Sequence, residues 1–78
     1  MSKIKKMPKV ALIGAGKMGE GIIAGLLKSG AYTPDQIKAF EILEPRIKYM
    51  TRTYEIECLS DAKKAATFAD ISIIAVKP

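Results

Sequence analysis

Histidine is absent from these 78 residues, and cysteine occurs once, at Cys58. With no imidazole and one thiol there is no ligand set for a zinc site and no Ser-His-Asp or Cys-His arrangement for nucleophilic catalysis. The lone cysteine has no partner for an internal disulfide, and its place in an apparent strand marks it as a small core residue. The carboxylates are scattered rather than paired, which removes glycosidase-type acid and base work. No apolar run approaches the roughly 20 residues that a membrane-spanning helix needs. Internal repeats, low-complexity tracts and linkers are also missing. Aromatic residues make up 6% of the chain and do not interleave with basic ones, so a base-stacking surface is not expected.

What remains is the composition of a folded protein, 49% hydrophobic and 27% charged, outside the range of disordered chains. The length allows one domain at most, near the lower limit for a self-sufficient core. A net charge of +5 invites a polyanionic partner, but Lys3, Lys5, Lys6 and Lys9 carry the excess and the remainder is close to balance. Residues 1–9 therefore read as a basic, flexible terminus, with neither nucleic acid nor membrane expected as partner. No apolar segment of signal-peptide type adjoins it, because Gly14 and Gly16 interrupt the apolar residues on its C-terminal side; a cytoplasmic location is the expectation.

The informative stretch is Val10-Ala11-Leu12-Ile13-Gly14-Ala15-Gly16-Lys17-Met18-Gly19. It places a G-x-G-x-x-G turn between a four-residue apolar run and an apolar stripe at helical spacing, formed by Met18, Ile22, Ile23, Leu26 and Leu27. In a dinucleotide-binding turn Gly14 permits the tight bend, Gly16 lets the backbone approach a pyrophosphate, and Gly19 lets the helix pack closely on the strand. The anion rests on backbone N–H groups at the helix N-terminus, where the peptide dipoles place partial positive charge. A Walker loop is excluded by the spacing and by the lack of Ser or Thr after Lys17.

The rest of the chain extends this unit. Strands are predicted at Val10 to Ile13, Ile37 to Ile42, Glu55 to Leu59 and Ile71 to Val76; helices at Lys17 to Lys28, Pro45 to Thr53 and Ala62 to Phe68. Gly30 suits the left-handed cap of the first helix, Thr33-Pro34-Asp35 a turn, Pro45 the first turn of the second helix and Ser60-Asp61 the cap of the third. The β-α-β-α-β-α-β alternation implies an α/β fold: a Rossmann-like, doubly wound parallel sheet in the order 3-2-1-4. Only part of such a domain is present in residues 10–78, and the outer edge and faces of the fourth strand are expected to be uncovered.

Cofactor contacts are expected from Gly14, Ala15, Gly16, Lys17, Met18 and Gly19 at the turn, although packing suits the Met18 side chain better. Glu41, at the end of the second strand, stands where an acid accepts hydrogen bonds from the adenosine ribose, which favours NAD. Arg46 offers a swinging partner for the 2′-phosphate of NADP. Ala75, Val76, Lys77 and Pro78 fall beyond the carboxyl end of the strand next to the first, where a nicotinamide belongs. No residue is assigned a catalytic role, and no metal is expected.

The run from Ile13 to Gly30, with Ala69-Asp70 and Ala75-Val76-Lys77-Pro78, resembles the N-terminal dinucleotide-binding domain of pyrroline-5-carboxylate reductase. The glycine motif is shared with 6-phosphogluconate and β-hydroxyacid dehydrogenases and with F420-dependent NADP oxidoreductases; the Ala-Val-Lys-Pro terminus and the helix after Gly19 point to the reductase. The resemblance implies hydride transfer from NADPH to 1-pyrroline-5-carboxylate, giving L-proline, in a homo-oligomer. It also implies that a C-terminal helical domain supplies dimer and substrate site, so that these residues alone bind cofactor without turnover. Family members often carry Asn where Lys17 stands, and Ser or Thr, compatible with NADP, where Glu41 stands; NADP or NAD stays open. The alternatives are an F420-dependent or β-hydroxyacid-type dehydrogenase domain and a nucleotide-binding module without catalysis.

Overall fold

Four short parallel strands form the middle layer of the computed structural model, which describes residues 8–14 and 16–75. They are β1 (Val10–Ile13), β2 (Ile37–Phe40), β3 (Glu57–Leu59) and β4 (Ile71–Ile74), in the order β3-β2-β1-β4. Between them run α1 (Lys17–Lys28), α2 (Glu44–Tyr54) and α3 (Ala62–Phe68). The 3-2-1-4 order expected from the alternation is the observed one.

Register sorts the side chains onto two faces. Val10 lies opposite Ile37, Leu12 opposite Ala39 and Ile73, and Ala39 opposite Cys58. These residues share one face and pack with Ile23 of α1 and Met50 and Tyr54 of α2. Leu12, Ile23, Ile37, Met50 and Ile56 are fully buried, each contributing roughly 1.5–3 kcal/mol through lost apolar exposure. The intervening residues face α3, where Lys38 bonds to Glu57 across the strands and its ammonium lies 4.7 Å from the centre of the Phe68 ring.

Local signals set most boundaries. Gly30, at φ 81°, follows the end of α1. The turn at Thr33 is a short 3₁₀ segment (Pro34–Gln36) held by a capping box between Thr33 and Gln36. Asp61 caps α3 by accepting a hydrogen bond from the Lys63 amide at 2.9 Å. Lys9, placed by sequence in the basic terminus, is joined to the sheet: its amide donates to the Asp70 carboxylate at 2.9 Å and its carbonyl accepts from the amides of Asp70 and Ile71.

Boundaries of four elements depart from expectation, among them β4, which ends at Ile74 before the expected Val76. β2 ends at Phe40 rather than Ile42, because the amides of Ile42 and Leu43 turn away to bond the Glu41 carboxylate. β3 begins at Glu57 because Glu55 adopts a left-handed conformation, φ 59°, and closes α2 by donating to the Thr51 carbonyl. α2 itself spans Glu44–Tyr54 rather than Pro45 to Thr53.

β4 is the outermost strand beside β1 among the described residues. Its Ile71 and Ile74 side chains are exposed, Ile74 by 73%. No described helix is long and apolar enough to cross a membrane.

Candidate functional site

Backbone bonds continue past the strands and align their carboxyl ends. The Gly14 amide donates to the Phe40 carbonyl at 3.1 Å, Glu41 to Leu59 at 2.9 Å, and Ala75 to Ile13 at 2.9 Å. Gly14, Glu41 and Ala75 thereby reach one edge of the sheet, the edge beyond which ligands bind in open α/β folds. Gly14 has φ 112°, a region that side-chain-bearing residues rarely enter.

Gly16 caps α1 without a side-chain hydrogen bond to the helix terminus, and a Cβ built on it would meet nothing within 4 Å. The surroundings of Gly19 are the opposite: a Cβ there would lie 2.3 Å from the Gly14 carbonyl oxygen and 3.7 Å from the Ala75 Cβ. Close approach at the third glycine and open space at the second together leave the start of α1 accessible to an anion.

Lys17 is exposed in the first turn. Met18 is 67% exposed, which corrects its placing in the packed stripe; that stripe starts at Ile22 and Ile23, one turn further on and over the sheet. Beyond β2, Ile42 and Leu43 are exposed as well. The Glu41 carboxylate, expected at the ribose, is fixed at the strand end: one oxygen accepts from the amides of Ile42 and Leu43, each at 3.0 Å.

Arg46 belongs to a cluster that sequence reasoning did not find. Its Nη2 donates to Glu20 at 3.1 Å, and its guanidinium lies 5.0 Å from the Tyr49 ring centre. Glu20 also accepts from the hydroxyls of Tyr49 and Tyr54, the second at 2.6 Å. The two rings meet edge to face, with centroids 6.4 Å apart. The Tyr49 and Tyr54 hydroxyls, and then Arg46, hold the Glu20 carboxyl below the usual glutamate range, while the carboxylate pushes both phenols above theirs. A signal existed: Arg46, Met50 and Tyr54 recur at four-residue spacing on one face of α2. What sequence could not supply was that this face meets the start of α1.

Burial raises the thiol of half-buried Cys58, leaving it neutral at ordinary pH. No group of metal-binding side chains occurs among the described residues. Ala15, Val76, Lys77 and Pro78, expected as cofactor contacts, lie outside the described residues.

The chain matches the family described as NADP oxidoreductase, coenzyme F420-dependent, over residues 9–78. It is 39% identical over 70 residues to a pyrroline-5-carboxylate reductase of Methanosarcina acetivorans, covering 90% of this chain and 26% of that protein. It is 38% identical over 74 residues to the reductase of Mycobacterium tuberculosis, covering 92% and 24%. A solved pyrroline-5-carboxylate reductase from Coxiella burnetii superposes with a TM-score of 0.84 at 25% identity, over 91% of this chain and 26% of that one. The chain thus spans about a quarter of the length of the relatives it matches. With its parallel sheet, glycine turn and open helix terminus, the chain belongs to the F420-dependent NADP oxidoreductase family and is similar, along nearly its whole length, to the dinucleotide-binding domain of pyrroline-5-carboxylate reductases.

Proposed function

We propose that the chain is the cofactor-binding part of a pyrroline-5-carboxylate reductase, serving proline biosynthesis. The observation that carries this reading is the paired geometry of the glycine turn: the Gly14–Gly19 approach, which a Cβ would close, and the open space at Gly16. The start of α1 has the shape and polarity for a pyrophosphate, held by the backbone amides of its first turn, from Lys17 to Gly19, with the Lys17 side chain beside it. Glu41, kept in place by its own loop, would accept from the ribose hydroxyls. Ala75 and the following Val76, Lys77 and Pro78 would border the nicotinamide.

When bound, a reduced nicotinamide supplies a hydride to the carbon of a C=N bond, and the ring nitrogen takes up a proton, converting the cyclic imine to proline. The chain's own residues orient the cofactor. The names of the relatives and the Ala75 to Pro78 terminus support this substrate, whereas the matched family's description favours an F420-dependent oxidoreductase as the second reading. A cytoplasmic, homo-oligomeric enzyme goes with the first.

Calorimetric titration with NADH and NADPH tests the reading, on the chain and on Gly16→Asp. At least one nucleotide should bind the chain, and neither should bind the variant. A folded chain that binds neither, or a variant that binds as well as its parent, would overturn the assignment.

A further inference from the structure

The first turn of α1 is tied to α2 by a carboxylate with three donors, which run from the first turn of α2 to its last residue. Glu20 bonds Arg46 at 3.1 Å, Tyr54 at 2.6 Å and Tyr49. We infer that Glu20 sets the discrimination between dinucleotides with and without a 2′-phosphate, by holding the guanidinium that such a phosphate would recruit. This rests on the dinucleotide reading above.

Two anions compete for one guanidinium. A ribose 2′-phosphate needs a cation at the end of β2, and arginine suits it best because its planar fork matches phosphate oxygens. Arg46 occupies the first turn of α2, close after that strand end, but Glu20 already bonds it and the Tyr49 ring backs it at 5.0 Å. Glu41, pinned by the amides of Ile42 and Leu43, and exposed Glu44 add negative charge along the same loop. A 2′-phosphate must therefore displace Glu20 from Arg46 before it gains a partner. A 2′-hydroxyl faces no such competition, and it finds an acceptor in Glu41. The two tyrosines strengthen the arrangement, since their hydroxyls keep Glu20 charged and in position. The consequence is a site that favours NADH over NADPH, with the preference set in part by a residue on a different helix from the arginine.

The test is the ratio of NADPH to NADH affinity, measured by calorimetry on the chain, E20Q and the double variant E20Q/R46A. E20Q should raise the ratio by about three- to five-fold, the size of one partly exposed ion pair. The double variant should remove that gain. An unmoved ratio, or one that falls in E20Q, sinks the inference while NADH binding still upholds the dinucleotide reading. If the unaltered chain binds neither nucleotide, both fail together. Should E20Q unfold, E20D gives the readout in weaker form, a smaller rise in the ratio, because it draws the carboxylate back from Arg46 by one methylene.

Discussion

Gly19 lies so close to Gly14 that a Cβ on it would sit 2.3 Å from the Gly14 carbonyl oxygen. The contact is backbone to backbone, so no side-chain rotation relieves it. It couples the first turn of α1 to the end of β1, and thereby fixes where the helix terminus points.

Alanine at three glycines of α1 separates this contact from helix propensity. Gly21→Ala and Gly25→Ala place a Cβ where nothing lies within 4 Å, so each should stabilise the chain by about 0.5–1 kcal/mol, the usual gain of alanine over glycine in a helix interior. Gly19→Ala gains the same propensity but meets the Gly14 carbonyl. It should cost about 1–3 kcal/mol net, as overpacking does. Urea unfolding of the three variants gives the comparison, and a stable Gly19→Ala would mean that the turn and helix are not in contact.

Stability and ligand binding should separate at Gly16. Its φ of −78° and ψ of −167° are open to any residue, and a Cβ there meets nothing. Aspartate at this cap position can accept a hydrogen bond from the first-turn amides, so the stability of Gly16→Asp should hold or rise slightly, by no more than a few tenths of a kcal/mol over glycine. The amides that Asp would occupy are those assigned to the pyrophosphate. Thermal melting alongside the titrations distinguishes a blocked site from an unfolded chain.

Local chemistry explains which features are legible in the sequence. α1 and α3 match prediction at both ends because their limits are written in adjacent residues: the glycine turn and Gly30 for one, Asp61 for the other. The end of β2 is not legible because Ile42 looks like strand, and only the folding back of the Glu41 carboxylate removes its amide from the ladder. The start of β3 is hidden because left-handed Glu55 is set by the closing of α2. The turn glycines are legible from their spacing together with the apolar run before them and the helical stripe after them. The Glu20 cluster is not, since Glu20 and Tyr54 are 34 residues apart and meet only when two helices lie side by side on the sheet.

The edge of β4 supplies a prediction about association. Ile74 is 73% exposed and Ile71 45%, on a strand whose outer side pairs with nothing among the described residues. Exposed apolar side chains on an open edge promote pairing between copies. Light scattering of the chain should show association that grows with concentration. Ile74→Lys should reduce it with a stability change within about 0.5 kcal/mol, as for other exposed positions. A monodisperse monomer at high concentration would argue against an exposed edge.

The Glu20 cluster should limit stability at both ends of the pH scale, and the signs come from the directions of the shifts. The glutamate is lowered from its ordinary 4.5 by Tyr49, Tyr54 and Arg46. Its contribution is therefore fully present above that value and is lost as pH falls below it, through the lowered folded value. The two phenols are raised from 10.0, chiefly because their hydroxyls donate to the Glu20 carboxylate. Their contribution is fully present below pH 10.0 and declines as pH rises above it toward the raised folded values. Between these limits the cluster should contribute a constant amount. Glu20→Gln should flatten the acid limb and weaken the alkaline one, because it removes the charge that raises both tyrosines. Tyr54→Phe should flatten mainly the alkaline limb, with a smaller loss on the acid side from the bond it removes. Melting temperatures of the three proteins from about pH 3 to 11, a range that brackets both limbs, give the profiles, and an acid limb unchanged in Glu20→Gln would show that its carboxylate is not held by these partners in solution.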